Sequence, residues 1–229
     1  EKYDVYAYAL SDRADTFTES LRADVRYASL ENISIEEQVE CIRTDEIDVL
    51  VDLGGHTEGG MTLMVLARRP APVQISGIGW FATTGVSFVD GFLTDEVLSP
   101  TGTEEFYSEE LLRLPYAFVM TPTAGMRAAE VSARPVDEPV TFGVLQNLMK
   151  INEAVLKMWE RILKKVPKSR LVLQDAVDSP LRVTTILEML DGMKMPMKRI
   201  FVRPGRQDYL ADYGDIDIAL DTFPYAGGA

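Results

Sequence analysis

At 229 residues, 46% of them hydrophobic, the chain has material for one large domain or two small ones with a sizeable core. Its net charge of −13 argues against a nucleic-acid partner, no apolar run approaches the thickness of a bilayer, and a single cysteine, Cys41, excludes an intrachain disulfide or a multi-cysteine metal site. With no signal-peptide pattern at its start, a soluble cytoplasmic protein that engages neither membrane nor nucleic acid is the expectation.

Taken in order, residues 3–10 have the aromatic and β-branched content of a strand, a polar helical piece follows Ser11-Asp12, and residues 25–30 read as a second strand. Ser34-Ile35-Glu36-Glu37 is a near capping-box pattern that starts a helix running to about Thr44. The apolar run 48–53 then stops at Gly54-Gly55, and the next residue, His56, is the only histidine in the chain. A second glycine pair leads into a helix from Met61 that ends at Arg68-Arg69-Pro70. Strands at 73–77, 91–94 and 111–114 come next, the first leading into the glycine-bounded loop 79–85, with a short helix near 103–108. Periodicity is lost through the Pro-, Thr- and Ala-rich stretch before residue 138, read as a linker.

A second α/β pattern follows. Residues 140–145 and 170–174 read as strands around a helix at 152–166, whose Val155, Trp159, Ile162, Leu163 and Val166 share one face. A helix at 180–193, a strand at 200–202, a short helix at 207–213 and a strand at 217–221 complete the chain. Strands alternating with helices indicate a mainly parallel sheet in each half. Charge is unevenly spread: residues 144–206 carry 13 Lys/Arg against 6 Asp/Glu, which suits either an anionic ligand or a solvated helix face. The ten methionines are read as core filler rather than a cofactor box.

Three loops hold the residue types that carry chemistry. His56 sits at a strand-to-helix turn, where its imidazole either acts near neutral pH or simply caps the loop. Lys150, behind Gln146 and Asn147, occupies the turn before a well-formed helix, where a diphosphate is met by a cation and helix N–H groups. Arg203, Arg206 and Tyr209 place guanidinium groups and a ring in another such turn, suited to phosphate and nucleobase. Asp215-Ile216-Asp217 has the form of a metal-holding D-x-D, but it falls at the amino end of its strand, away from these loops, so no metal is expected there. No dinucleotide fingerprint, P-loop, nucleophile elbow or zinc-binding histidine pair occurs.

Five blocks in order, IDVLVDLGGHTEGG (47–60), LARRPAPVQISGIGWFATTG (66–85), VDGFLTDEVLSP (89–100), LQNLMKINEAVLKMWERILKKVPKSRLVL (145–173) and IFVRPGRQDYLADYGDIDIALDTFPYAGG (200–228), resemble the catalytic region of protein O-GlcNAc transferase and its SPINDLY-like relatives. The resemblance implies an α/β chain with two Rossmann-like halves of GT-B type: an acceptor-side half over 1–120, a linker over 121–138 and a UDP-sugar half over 139–229. It implies an inverting, metal-independent transferase that moves a sugar, GlcNAc, from a UDP-sugar to Ser/Thr of an acceptor protein or peptide, with no further cofactor. Lys150 then meets the diphosphate beside Asn147 or Gln146, Tyr209 stacks on uracil, and Arg206 is the neighbouring basic ligand. Gly79, Trp80, Thr83 and Thr84 lie in the loop that borders sugar and acceptor, and His56, matching a G-H-T of plant and bacterial members, is the catalytic candidate.

Members also carry an upstream strand with a histidine-bearing loop, tetratricopeptide repeats before it, and a Thr-rich helix start beyond the last glycines. None of these is in the sequence, so both halves are expected to be incomplete. Two other readings stay open: a non-catalytic module that keeps the fold without the full site, and another GT-B sugar-nucleotide enzyme such as an epimerase.

Overall fold

Every strand pairing among the described residues is parallel, as the alternating pattern requires. The computed structural model describes residues 2–10, 16–57, 61–117, 137–206 and 209–227, and the chain divides into two units, Glu1–Val119 and Met120–Ala229. The stretch expected to be a linker falls almost wholly outside the described residues.

The first unit runs β1 (Tyr6–Ala9), α1 (Thr16–Asp24), β2 (Arg26–Ser29), α2 (Ile35–Thr44), β3 (Val49–Asp52), α3 (Met61–Leu66), β4 (Val73–Gly77), β5 (Gly91–Thr94) and β6 (Glu110–Arg113). β1 pairs with β2, and a separate four-stranded sheet has the order β3-β4-β5-β6. The capping box at α2 is complete: Ser34 Oγ accepts from the Glu37 N–H at 3.2 Å, and the Glu37 carboxylate accepts from the Ser34 N–H at 2.8 Å. That start turns Val39 and Ile42 inward onto Leu30 and Val65, with Tyr8 and Leu50 packed against the cluster. α3 is shorter than its apolar run suggested, because Arg69 takes a left-handed φ of 50° just before Pro70. A cavity of about 1480 Å³ is lined by residues of both β1 and β3, where Val49, Val51 and Leu53 stay exposed.

The second unit runs β7 (Thr141–Leu145), α4 (Glu153–Lys165), β8 (Arg170–Gln174), α5 (Pro180–Gly192), β9 (Ile200–Arg203) and β10 (Ile218–Ala219), with strand order β10-β7-β8-β9. Asn152 caps α4 by accepting the Val155 N–H, and the helix buries Val155, Leu156, Trp159 and Leu163, while Ile162 and Val166 lie at the margin of the core. The short helix expected before the last strand is a 3₁₀ segment over Tyr209–Asp215. β10 is only two residues long, since Asp217 just ahead of it accepts the Thr141 N–H through its side chain. Passing from β7 through β8 to β9, the strands advance in one direction; β10 then returns to the opposite side of β7. The carboxyl ends of β7 and β10 therefore flank a topological switch point, the place where open α/β sheets hold ligands.

Candidate functional site

In the second unit the polar turn after β7 and the loop after β10 are stitched together at that switch point. The Gln146 amide donates to Asp221 Oδ1 at 3.3 Å and Thr222 Oγ1 at 3.0 Å, and Lys150 Nζ donates to the Ala226 carbonyl at 2.7 Å. Asn152, besides capping α4, donates to the Phe223 carbonyl at 2.7 Å. The side-chain oxygen of Gln146 is buried among these groups with no partner, an acceptor left over at the crevice.

Asp221 anchors its loop by accepting the N–H groups of Thr222 and Gly227, each at 2.7 Å. Burial pushes its carboxyl up, but these two N–H groups, the Gln146 amide and the Lys150 charge outweigh that and hold it below the usual carboxylate range. The Lys150 ammonium, which keeps two N–H donors beyond its bond to Ala226, and the Gln146 amide thus meet beside a loop whose Thr222 and Gly227 N–H groups are already paired with Asp221, so Lys150 is the group suited to meet an anion.

Asn147 is turned toward structure: its oxygen accepts the Met149 N–H at 3.0 Å and an Arg182 N–H at 3.2 Å. Arg182 in turn lies 3.4 Å from buried Asp175, which accepts the Leu148 and Ala176 N–H groups. Arg206 and Tyr209 form a second cluster beyond β9. The Arg206 guanidinium grips Asp212 in a two-pronged ion pair at 2.7 and 2.5 Å, and Gln174 donates to the same carboxylate at 2.7 Å. Burial raises the Asp212 carboxyl, yet the Gln174 and Arg206 hydrogen bonds outweigh it and lower it. The expected nucleotide arginine is therefore already committed through two of its five N–H donors. Tyr209 stands edge-on to Tyr213, ring centroids 6.5 Å apart, and is 42% exposed.

The first unit assembles the other expected loop residues around His56. Asp52, buried at the end of β3, accepts the Gly54 N–H and Gly55 N–H at 2.9 Å each and the Ser76 hydroxyl at 2.7 Å. Gly55 takes φ +54°, and a Cβ there would meet Trp80 Cβ at 2.5 Å, so the glycine turn lies flat against that ring. Gly79 similarly packs on the Leu53 carbonyl with no room for a side chain. His56 Nε2 lies 2.7 Å from the Thr84 carbonyl and its ring meets Trp80 edge-on at 5.2 Å; Trp80 donates its indole N–H to the Thr83 carbonyl at 3.2 Å. Since a carbonyl only accepts, the imidazole proton sits on Nε2 and leaves Nδ1 as an acceptor in the neutral ring. Beneath the loop, buried Glu109 holds Thr83 and Thr84.

Asp52, Glu109, Asp221 and Thr222 are contributors that sequence reasoning passed over. Asp52 and Asp221 each close an apolar strand just before a glycine-bearing loop, a signal that was present; Glu109, inside a polar stretch, gives none. Among the described residues no group of three or more His, Cys, Asp or Glu side chains is placed to hold a metal ion, and no helix is long and apolar enough to cross a membrane.

The model of glycosyl transferase family 41 matches residues 1–136. A probable UDP-N-acetylglucosamine–peptide N-acetylglucosaminyltransferase, SPINDLY of Arabidopsis thaliana, is 38% identical over 99% of this chain and 26% of its own length. A mutant O-GlcNAc transferase of Thermobaculum terrenum superposes with a TM-score of 0.85 at 35% identity, covering 98% of this chain and 43% of that one. A glycosyltransferase from Rickettsia africae, 11% identical, shares the fold alone at a TM-score of 0.54 over 93% of this chain and 63% of that one. The chain spans about a quarter of the length of the curated relatives it matches.

Proposed function

The chain belongs to glycosyl transferase family 41 and has the α/β architecture of GT-B enzymes, and from that premise we propose that it forms the core of a protein O-glycosyltransferase. Its donor is a UDP-sugar, UDP-GlcNAc, and its acceptor a Ser or Thr hydroxyl of a protein or peptide. The hydroxyl oxygen attacks the anomeric carbon from the face opposite UDP, the carbon–oxygen bond to the diphosphate breaks, the hydroxyl proton is released and the anomeric configuration inverts.

A leaving diphosphate needs its developing charge neutralised, and in this reading the protein does so without a metal. Lys150 and the start of α4 supply the positive field, Gln146 orients the nucleotide, and Tyr209 and Arg206 meet its base and ribose side. His56, Gly79, Trp80, Thr83 and Thr84 border the sugar and acceptor. The observation that carries the reading is the meeting of Lys150 and Gln146 with the Asp221–Gly227 loop at the switch point of the second sheet.

Calorimetric titration with UDP tests it. The unmodified chain is expected to bind UDP, and Lys150→Ala to weaken that binding by about tenfold or more, the order of one charge-assisted contact. Unchanged affinity in the variant removes Lys150 from the diphosphate site, and a chain that binds neither UDP nor UDP-GlcNAc is a bare scaffold. Binding of a GDP-sugar in their place reassigns the donor.

A further inference from the structure

We infer that Glu109, on no loop expected to meet substrate, is a positioning residue that fixes the His56 ring through Thr83 and Thr84. The inference rests on the reading of the 79–84 loop as the border of sugar and acceptor. Glu109 is 6% exposed. One carboxylate oxygen accepts both the N–H of Thr84, at 2.7 Å, and its hydroxyl; the other accepts the Thr83 hydroxyl at 2.7 Å. Thr84 then offers its carbonyl to His56 Nε2, and Thr83 offers its own to Trp80, the ring against which His56 and Gly55 pack. A single buried carboxylate therefore determines where the histidine ring points and which of its nitrogens keeps a lone pair.

The site requires a group that only accepts. Thr83 Oγ1 already receives the Gly85 N–H at 3.0 Å and the Ser108 N–H at 3.2 Å, which use both its lone pairs. Of the two acceptors facing its proton, the Glu109 carboxylate at 2.7 Å is charged and nearer than the Ser108 hydroxyl at 3.1 Å, so the proton goes to Glu109. An amide in place of the carboxylate sets a donor against a hydroxyl with no acceptor capacity left, and the loop must shift to relieve it. The hydrogen bonds to Thr84 and Thr83 outweigh burial and keep the Glu109 carboxyl below its usual range, consistent with an ionised acceptor at neutral pH.

Histidine selectively labelled with ¹⁵N tests this in the 229-residue chain, where His56 is the only imidazole. In the unmodified protein the neutral ring is expected as one tautomer, protonated on Nε2. Glu109→Gln is expected to give a mixture of both tautomers, and Glu109→Asp, which keeps an acceptor-only group, to restore most of the single form. In transfer assays, Glu109→Gln is expected to lower kcat about tenfold or more while KM for the sugar nucleotide, held in the second unit on this reading, changes less than about twofold.

A tautomer unchanged in a folded Glu109→Gln protein overturns the inference, whatever happens to turnover. Should that variant fail to fold, Thr83→Val decides: tautomer mixing supports the inference and an unaltered ring overturns it. Tautomer mixing with unaltered turnover upholds the positioning role and instead removes His56 and its loop from the reaction, so the two readings fail separately.

Discussion

Buried carboxylates do the organising at single positions of this protein, and each does so by collecting N–H and O–H donors that a loop would otherwise leave unpaired. Glu109 has a consequence for pH. Its folded-state carboxyl lies below the usual glutamate value of 4.5, so its contribution to stability is full above that value and is lost as pH falls through the folded one. The melting temperature of the unmodified chain should therefore exceed that of Glu109→Gln most at neutral pH, and the gap should close on acidification below about pH 4.5. A gap that stays constant in scanning calorimetry down to about pH 3 contradicts the ionised, hydrogen-bonded state of this group. His56 was legible because it is unique and follows a strand and two glycines. Glu109 was not, since in the sequence it is one acidic residue of a polar stretch, and only the fold shows that it is buried.

At the level of elements, local rules accounted for most of what formed. The Ser34 capping box, the Asn152 cap and the apolar face of α4 follow from spacing and side-chain chemistry alone. Leu156, fully buried, lies one position beyond the expected stripe and belongs to its centre, while Met158 points outward at 51% exposure. Leu156→Ala should cost the second unit about 3 kcal/mol in urea unfolding, and Met158→Ala less than about 0.5 kcal/mol, as expected of a surface change. Similar losses for both would place the helix in a different rotation. Ser34→Ala should cost the first unit about 1 kcal/mol through the lost cap. Element ends were less legible where tertiary contacts set them: Arg69 turns α3 off early, and Asp217 trades a strand position for a bond to Thr141.

Across the whole molecule the two units differ in how completely they bury apolar surface. The second has one continuous core running from Phe142 to Ile200, with Leu148, Leu156, Leu173 and Leu190 fully buried. Among the described residues the first has two smaller clusters, and Val49, Val51 and Leu53 remain exposed around the cavity that β1 and β3 line. Because stability follows buried apolar area, the chain should unfold in two calorimetric transitions with the first unit melting at the lower temperature. Leu30→Ala should then shift only the lower transition and Leu173→Ala only the upper; a single transition moved by both would show one cooperative block.

The sequence by itself determined the alternation of strands and helices, the parallel pairing that follows from it, the loops that carry His56 and Lys150, and the family resemblance, because these depend on local spacing and residue type. Tertiary structure alone decided which polar groups meet: Lys150 and Gln146 with the loop after β10, Arg206 with Asp212, and Glu109 with Thr84. Such pairings join residues up to 76 positions apart, and strand order, which no local pattern encodes, is what brings them within reach.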